Sequence, residues 1–95
     1  MAQITITGVD LDIEKIRKEL NMTIKKLADK VKLNAESNTP VRSGYARSQW
    51  KKKVTPENFE VSNKVPYIER LEAGASKQAP RGIIGPTLEQ IKGQV

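Results

Sequence analysis

The chain begins with a strand pattern and then changes to a helical repeat. Residues 3–7 alternate polar and apolar side chains and end at Gly8, which predicts a half-buried strand. Asp10 then offers a helix N-cap. Apolar or small residues recur three or four positions apart at Ile13, Ile16, Leu20, Thr23, Leu27 and Val31. This stripe predicts one long amphipathic helix over residues 12–36, which ends before Pro40.

The second half of the chain predicts shorter strands and helices. An ordered connector over residues 39–48 has turn chemistry at Ser43-Gly44. Residues 49–55 and 59–63 alternate as two strands, and Pro56-Glu57-Asn58 between them suits a hairpin turn. The first strand places Trp50 and Val54 on one face, and the second does the same with Phe59 and Val61. These two strands predict an antiparallel pairing.

Helical segments and a loop follow the hairpin. Pro66 suits the first turn of a short helix over residues 67–72, with Gly74 as its C-terminal stop. A loop over residues 74–85 precedes a last helical segment over residues 86–91. We therefore predict a single α+β domain, residues 1–95. It has a long N-terminal helix packed on a small antiparallel β-sheet and a short C-terminal helix.

Composition limits the size of the core. The chain has 95 residues, of which 37% are hydrophobic, so it buries only a thin core. All four aromatic residues, Tyr45, Trp50, Phe59 and Tyr67, fall in one stretch. They either pack the sheet against the long helix or, if exposed, stack on nucleotide bases. We predict that Trp50 packs in the core.

The residues also exclude several kinds of chemistry. There is no Cys and no His, which removes thiolate nucleophiles, zinc–sulfur sites and the commonest general base. The serines therefore have no His partner, and no Gly-rich phosphate loop is present. We expect no catalysis, no cofactor and no metal. No apolar run is long enough for a bilayer, and the N-terminus lacks the order of a signal peptide, so we expect a cytoplasmic product without membrane contact.

The positive charge is concentrated in one stretch. The net charge is +6, and residues 40–56 carry five basic and no acidic groups: Arg42, Arg47, Lys51, Lys52 and Lys53. Residues 57–75 carry a net charge of −2, with Glu57, Glu60, Glu69 and Glu72 as the acidic groups. Three interpretations of the basic stretch stay open: contact with a nucleic-acid backbone, contact with an acidic patch on another subunit, or a solvated strand.

Several short motifs occur in a characteristic order. A Thr-Pro-Val, a Gly, an Arg and a Trp follow the helix at Thr39-Pro40-Val41, Gly44, Arg47 and Trp50. Then come Asn63, Val65-Pro66-Tyr67, Leu71-Glu72-Ala73-Gly74, Ser76-Lys77-Gln78-Ala79-Pro80-Arg81-Gly82 and Pro86-Thr87. In this order the motifs resemble those of the small tail-completion, or head–tail joining, neck proteins of tailed bacteriophages. The resemblance covers about residues 30–92, although the chain looks trimmed in its hairpin and at its end.

The resemblance implies a virion structural protein. It implies a ring of copies of the chain, a hexamer by similarity to the family, which connects the portal side of the phage head to the tail. Its partners are then neighbouring neck and tail proteins, and DNA passes through the lumen without sequence-specific binding. Its location is the neck of the virion, after assembly in the host cytoplasm. The alternative from the residues alone is a small basic nucleic-acid-binding protein.

Two sets of residues follow as candidates. We predict subunit contacts from Arg42, Arg47, Lys51, Lys53, Glu69, Glu72, Ser76, Lys77, Gln78 and Arg81. We predict structural roles for the motif residues Pro40, Gly44, Trp50, Tyr67, Gly74, Pro80 and Gly82. Ser43-Gly44 should be held by backbone geometry, with Gly44 at positive φ.

Overall fold

The computed structural model describes residues 3–41 and 44–93. In chain order the elements are β1 (Ile4–Thr7), a 3-10 turn (Gly8–Leu11), α1 (Ile13–Leu20), α2 (Ile24–Asn38), α3 (Tyr45–Ser48), β2 (Lys51–Val54), β3 (Phe59–Asn63), α4 (Ile68–Glu72) and α5 (Ile84–Gly93). The α+β class is confirmed. The candidates Arg42 and Ser43 lie outside the described residues.

The three strands form one antiparallel sheet in the order β1-β3-β2. Ile6 of β1 lies opposite Val61 of β3, and Val61 lies opposite Lys52 of β2. The N-terminal strand and the hairpin are thus both confirmed. β3 is therefore the central strand, and β1 and β2 are the two edge strands of the sheet.

One face of the sheet carries the core. Ile6, Phe59 and Val61 are buried on this face, and α2 packs across β2 and β3. Trp50, directly before β2, is only 2% exposed, so its predicted core position is confirmed. Val54, which shares the strand parity of Trp50, is 40% exposed because it lies at the end of an edge strand, beside the hairpin turn.

The predicted single long helix is divided in the structure. α1 ends at Leu20, Asn21 takes a left-handed conformation with φ 51°, and α2 starts after Thr23. The Thr23 hydroxyl accepts a hydrogen bond of 3.3 Å from the amide of Lys26, which is an N-cap contact. The apolar stripe runs through the break, but an Asn that tolerates positive φ and a Thr that caps a new helix interrupt it locally.

The start of the first helix also differs from expectation. Asp10 lies in the 3-10 turn, where its carboxylate accepts a hydrogen bond of 2.9 Å from the amide of Thr7. Asp12, with φ 52°, directly precedes α1. Asp10 therefore caps the short turn and not the long helix that the pattern predicted.

The C-terminal part follows the prediction more closely. α4 comes after Pro66 and is followed by Gly74 at φ 88°, as a C-terminal stop requires. α5 begins two residues earlier than predicted, so Pro86 falls in its first turn, where a missing amide hydrogen costs no helix hydrogen bond. Among the aromatics, Trp50 and Phe59 are buried, while Tyr45 is 53% and Tyr67 36% exposed.

Candidate subunit-interaction site

The C-terminal end of α2 is held by a buried hydrogen-bond chain. The Trp50 indole Nε1 donates to the Thr39 hydroxyl over 2.7 Å. That hydroxyl donates in turn to the carbonyl of Ala35 over 2.6 Å. Thr39 is 1% exposed, so its polar group is buried and satisfied. Thr39 and Trp50, the first and last residues of this motif, are therefore in direct contact.

Arg47 completes this end of the helix. Its guanidinium Nη2 donates to the carbonyls of Thr39, at 3.0 Å, and Ser37, at 3.3 Å, and its Nε donates to Thr39 at 3.3 Å. The last carbonyls of a helix lack partners within the helix, and a cation near them is favourable. Arg47 thus has a contact within its own chain, and its predicted contact with a neighbouring subunit stays a prediction.

Asn63 ties the sheet to α3. Its side-chain amide donates to the carbonyl of Ala46 over 2.8 Å, and its carbonyl oxygen accepts from the amide of Val65 over 3.0 Å. The side chain is 1% exposed, at the end of the central strand. Asn63 therefore fixes α3 beside β3 and orients the chain that leads to Pro66.

The loop between α4 and α5 is fixed by two glycines. A Cβ added to Gly74 would lie 2.5 Å from the carbonyl oxygen of Pro80, and one added to Gly82 would lie 2.3 Å from the carbonyl oxygen of Glu72. Both have positive φ, 88° and 83°. Their predicted structural roles, and that of Pro80, have their explanation in these close backbone approaches.

Glu72 caps α5. Its carboxylate accepts hydrogen bonds of 2.9–3.3 Å from the amides of Ile83 and Ile84. These amides are among those that a helix start leaves without partners, and the positive end of the helix dipole favours a carboxylate there. Glu72 was predicted as a subunit contact, and the structure shows a contact within its own chain.

The remaining loop candidates bind neighbouring elements. The side chain of Gln78 accepts from the amide of Val41 over 2.9 Å, and the hydroxyl of Ser76 accepts from the amide of Gln78 over 3.2 Å. Arg81 forms an exposed ion pair of 2.7 Å with Glu89 of α5. The loop is thereby attached to both the end of α2 and the last helix.

These contacts shape a groove beside the end of α2, which we call the motif groove. Its lining residues are Pro40, Ala46, Tyr67, Leu71, Ala75, Ser76, Lys77 and Gln78. Five of them are candidates from the sequence, drawn from three separate motifs. The groove combines an apolar floor with an exposed Lys77 at its side.

The basic candidates of β2 lie elsewhere, on the face of the sheet away from the core. Register places Lys51 opposite Ser62 and Lys53 opposite Glu60, and these β3 residues lie opposite Thr5 and Thr7 of β1. We call this set of six the outer sheet face. All six side chains are exposed or half-exposed. Lys52 points to the other side of the strand and pairs with Asp29 of α2.

Two further candidates, Glu69 and Gly44, belong neither to the residues that line the motif groove nor to the outer sheet face. The Glu69 carboxylate accepts a hydrogen bond of 3.3 Å from the amide of Gln3, at the start of β1. Gly44 has φ 72° and directly precedes α3, which agrees with its predicted backbone role. Among the described residues other than its chain neighbours, no atom lies within 4 Å of a Cβ added to Gly44, so the requirement there is on backbone conformation and not on space.

Several residues of the site were missed as candidates. Thr39 and Asn63 were seen only as letters of a motif, and the pairing of Asp29 with Lys52 was not anticipated. Asn63 had a usable signal, because it shares the strand parity of the buried Phe59 and Val61. A polar residue at a buried strand position needs a hydrogen-bond partner.

The described residues contain no cluster of three or more potential metal-ligating side chains. In the same part of the chain, no helix is both long and apolar enough to cross a bilayer. The arrangement is one of backbone-capping contacts and exposed surfaces.

Comparison with known proteins adds no relative. No family model, curated protein or solved structure matches the chain.

Proposed function

We propose that the protein is a ring-forming connector of a tailed-bacteriophage virion, which joins head to tail around the DNA channel. The proposal rests on the resemblance of the ordered motifs to the neck proteins. One structural observation carries it further. Residues from motifs far apart in the sequence converge around the end of α2, where Pro40, Tyr67 and Gln78 line the motif groove.

This convergence supports an assembly role better than a catalytic one. The polar groups of Trp50, Arg47 and Glu72 form hydrogen bonds at helix ends of their own chain. These contacts position a groove and a loop, which are surfaces on which another protein can dock. A small domain with a thin core gains further burial when neighbouring copies cover such surfaces.

Two exposed lysines support a more specific proposal for the charged contacts of the ring. Lys51 and Lys53 extend from the outer sheet face, and we assign to them the contacts with acidic groups of a neighbouring copy. Glu57 and Glu69 are exposed and are suitable partners. Arg47 and Glu72 contribute by shaping the subunit. DNA passes through the lumen without sequence-specific binding, in the neck of the virion.

The test is the assembly state of the purified chain. Sedimentation and negative-stain imaging of the unmodified protein should give rings, and the double variant Lys51→Glu/Lys53→Glu should give folded monomers. Lys26→Glu, an exposed charge reversal on α2, is the matched control and should assemble normally. Rings from the double variant would contradict the assignment of the basic strand, and a monomeric unmodified protein would contradict the connector.

A nucleic-acid-binding protein is the second candidate. It is supported by the net charge of +6 and by the exposure of Lys51, Lys53 and nearby Lys64. Phosphate contacts by these lysines would make DNA affinity fall steeply with salt. If the unmodified protein forms no ring and binds DNA, and the double variant stays folded and loses only DNA binding, this function replaces the connector.

A further inference from the structure

The boundary between α1 and α2 is a short break without Gly or Pro. Only Asn21, Met22 and Thr23 separate the two helices. Asn21 is exposed and holds φ 51°, a left-handed conformation that Asn tolerates better than most residues other than Gly. The break is therefore held by one left-handed residue and one N-cap contact.

The buried side chains of the two helices are in phase with each other. They are Ile13 and Ile16 of α1 and Ile24, Leu27, Ala28, Val31 and Ala35 of α2. On a continuous helix of 3.6 residues per turn they fall within an arc of about 120°. The sequence thus encodes an uninterrupted amphipathic helix over residues 13–38, although the structure bends the chain in its middle.

Straightening the break would move a whole arm of the chain. The arm consists of β1, the 3-10 turn and α1. As one helix, residues 13–38 would be about 39 Å long, which is comparable with the 36 Å longest dimension of the subunit. The arm would then extend past its own sheet. It would also leave β3 with an unpaired edge and the core without Ile6 and Leu11.

A second copy of the chain can restore what the arm leaves behind. Among the described residues, β1 is an edge strand that pairs with β3, α1 contacts the adjacent 3-10 turn, and that turn also contacts α5. An exchanged arm therefore keeps its internal contacts and has to rebuild its contacts with β3 and α5 on the neighbouring copy. The same ladder, with Ile6 opposite Val61, can be rebuilt on β3 of a neighbour. Exchange of an identical element in this way preserves the native contacts of every copy.

We propose that copies of the chain exchange their N-terminal arms, residues 3–20, and that α1 and α2 become one helix in the exchanged form. The occupant of the vacated edge of β3 is thus β1 of a second copy. The inference deepens the ring proposed above and rests on it only for the number of copies. Residues 21–23 are the hinge, which is bent in the structure described above and straight in the exchanged form.

The experiment uses the absence of natural cysteine. Ser62 lies between Thr5 of β1 and Lys51 of β2 in the sheet. Thr5→Cys/Ser62→Cys links the arm to β3, and Lys51→Cys/Ser62→Cys links the hairpin to itself. Because Lys51 is assigned to the ring contacts, the hairpin pair is a control for the position of the link alone, and ring formation is measured with the Thr5–Ser62 pair. Each protein is assembled under reducing conditions, oxidised, and separated on a denaturing gel without reductant.

The two pairs give different expected products. Arm exchange predicts that the Thr5–Ser62 pair joins different chains, as covalent dimers or a ladder, while the Lys51–Ser62 pair stays within one chain. A ring in which the Thr5–Ser62 pair stays within one chain overturns the exchange and leaves the connector standing. Exchanged dimers without rings support the exchange and overturn the connector.

Two substitutions at one exposed position test the hinge. Asn21→Ala favours the continuous helix, whereas Asn21→Gly favours positive φ and the bent chain. In the background of the Thr5–Ser62 pair, the ratio of interchain to intrachain product should differ about tenfold between the two variants. Monomers with intrachain links only, at high concentration and in Asn21→Ala as well, overturn both the exchange and the ring.

Discussion

The indole nitrogen of Trp50 donates a hydrogen bond to the hydroxyl of Thr39 over a distance of 2.7 Å. Trp50 is 2% exposed and directly precedes β2, and Thr39 ends α2. One contact therefore joins the sheet to the end of the principal helix. The same hydroxyl continues to Ala35, so the helix end, the strand and the connector between them are fixed together.

This pair predicts a measurable coupling. Thr39→Val removes the acceptor of a buried indole N–H and should lower the free energy of unfolding by about 1–3 kcal/mol. Trp50→Ala should cost about 3–5 kcal/mol because it also leaves a cavity. In a double-mutant cycle, Trp50→Phe combined with Thr39→Val should cost less than the sum of Trp50→Phe alone and Thr39→Val alone. Denaturant unfolding of the unmodified protein, these two single variants and the double variant measures the coupling, and strict additivity would contradict a direct bond.

Arg47 is expected to stabilise the subunit as well as to shape its surface. Arg47→Met should lower the free energy of unfolding by about 1 kcal/mol, because the carbonyls of Ser37 and Thr39 lose a cationic donor. Arg47→Glu should cost more, because it places a carboxylate against these carbonyls. Arg81→Met, which breaks an exposed ion pair, is the control and should change stability by less than about 1 kcal/mol.

The consequence for Arg47→Glu is that it does not test assembly cleanly. If Arg47 contacts a neighbouring subunit, as the sequence analysis predicts, this variant leaves a folded subunit that fails to join its neighbours. A loss of stability would produce the same failure for a different reason. Thermal unfolding of Arg47→Glu decides this, since an unchanged midpoint would argue against the capping role and return the residue to the interface.

Gly74 and Gly82 of the α4–α5 loop should respond to substitution differently from Gly85 of α5. Gly74→Ala and Gly82→Ala should each destabilise the protein by more than about 1 kcal/mol, because both the left-handed backbone and the nearby carbonyl oxygens oppose a Cβ. Gly85→Ala meets no atom within 4 Å and lies in α5, so it should be neutral or stabilising. Equal effects at the three positions in thermal unfolding would contradict the role of positive φ and close backbone approaches at Gly74 and Gly82.

Gly44 provides a case of conformation without crowding. Gly44→Val should lower stability by about 1–2 kcal/mol through its φ of 72°, since no atom lies within 4 Å of the added Cβ. Gly44→Asn should recover part of this loss, because Asn tolerates the left-handed region. If Asn and Val prove equally costly in denaturant unfolding, backbone conformation is not the cause.

Glu72 should behave as the cap of α5. Glu72→Ala removes the acceptor for the amides of Ile83 and Ile84 and should cost about 1 kcal/mol. Glu72→Gln keeps an acceptor oxygen and should cost less. Amide hydrogen exchange provides the local measurement, with faster exchange expected at both amides in Glu72→Ala. Unchanged exchange there would contradict the capping contact.

The sequence by itself determined the elements whose signals are local. The alternation of residues 3–7 and 59–63 predicted β1 and β3, and Pro66 with Gly74 predicted the position of α4. Burial of Trp50 followed from its place beside an alternating strand. Such signals are read within a few residues, because strand alternation and helix capping depend on neighbours along the chain.

The division of α1 from α2 was present in the sequence but outweighed by another signal. The apolar stripe is continuous, while Asn21 and Thr23 are only single residues with capping potential. Periodicity records which side chains face a core and does not record whether the axis bends between them. The chain bends at residues 21–23, and this bend places the buried side chains of the arm, residues 3–20, in the core.

Only the tertiary structure decided which side chains form the candidate site. Gln78 meets Val41, Glu72 meets Ile84, and Thr39 meets Trp50, and none of these pairs follows from a repeat or a local propensity. Charge alone placed Arg47 and Glu72 at an interface, because both sequence segments carry exposed-looking ionic groups. Folding brought each of them to the unpaired end of a helix, where the Arg47 guanidinium donates to backbone carbonyls and the Glu72 carboxylate accepts from backbone amides.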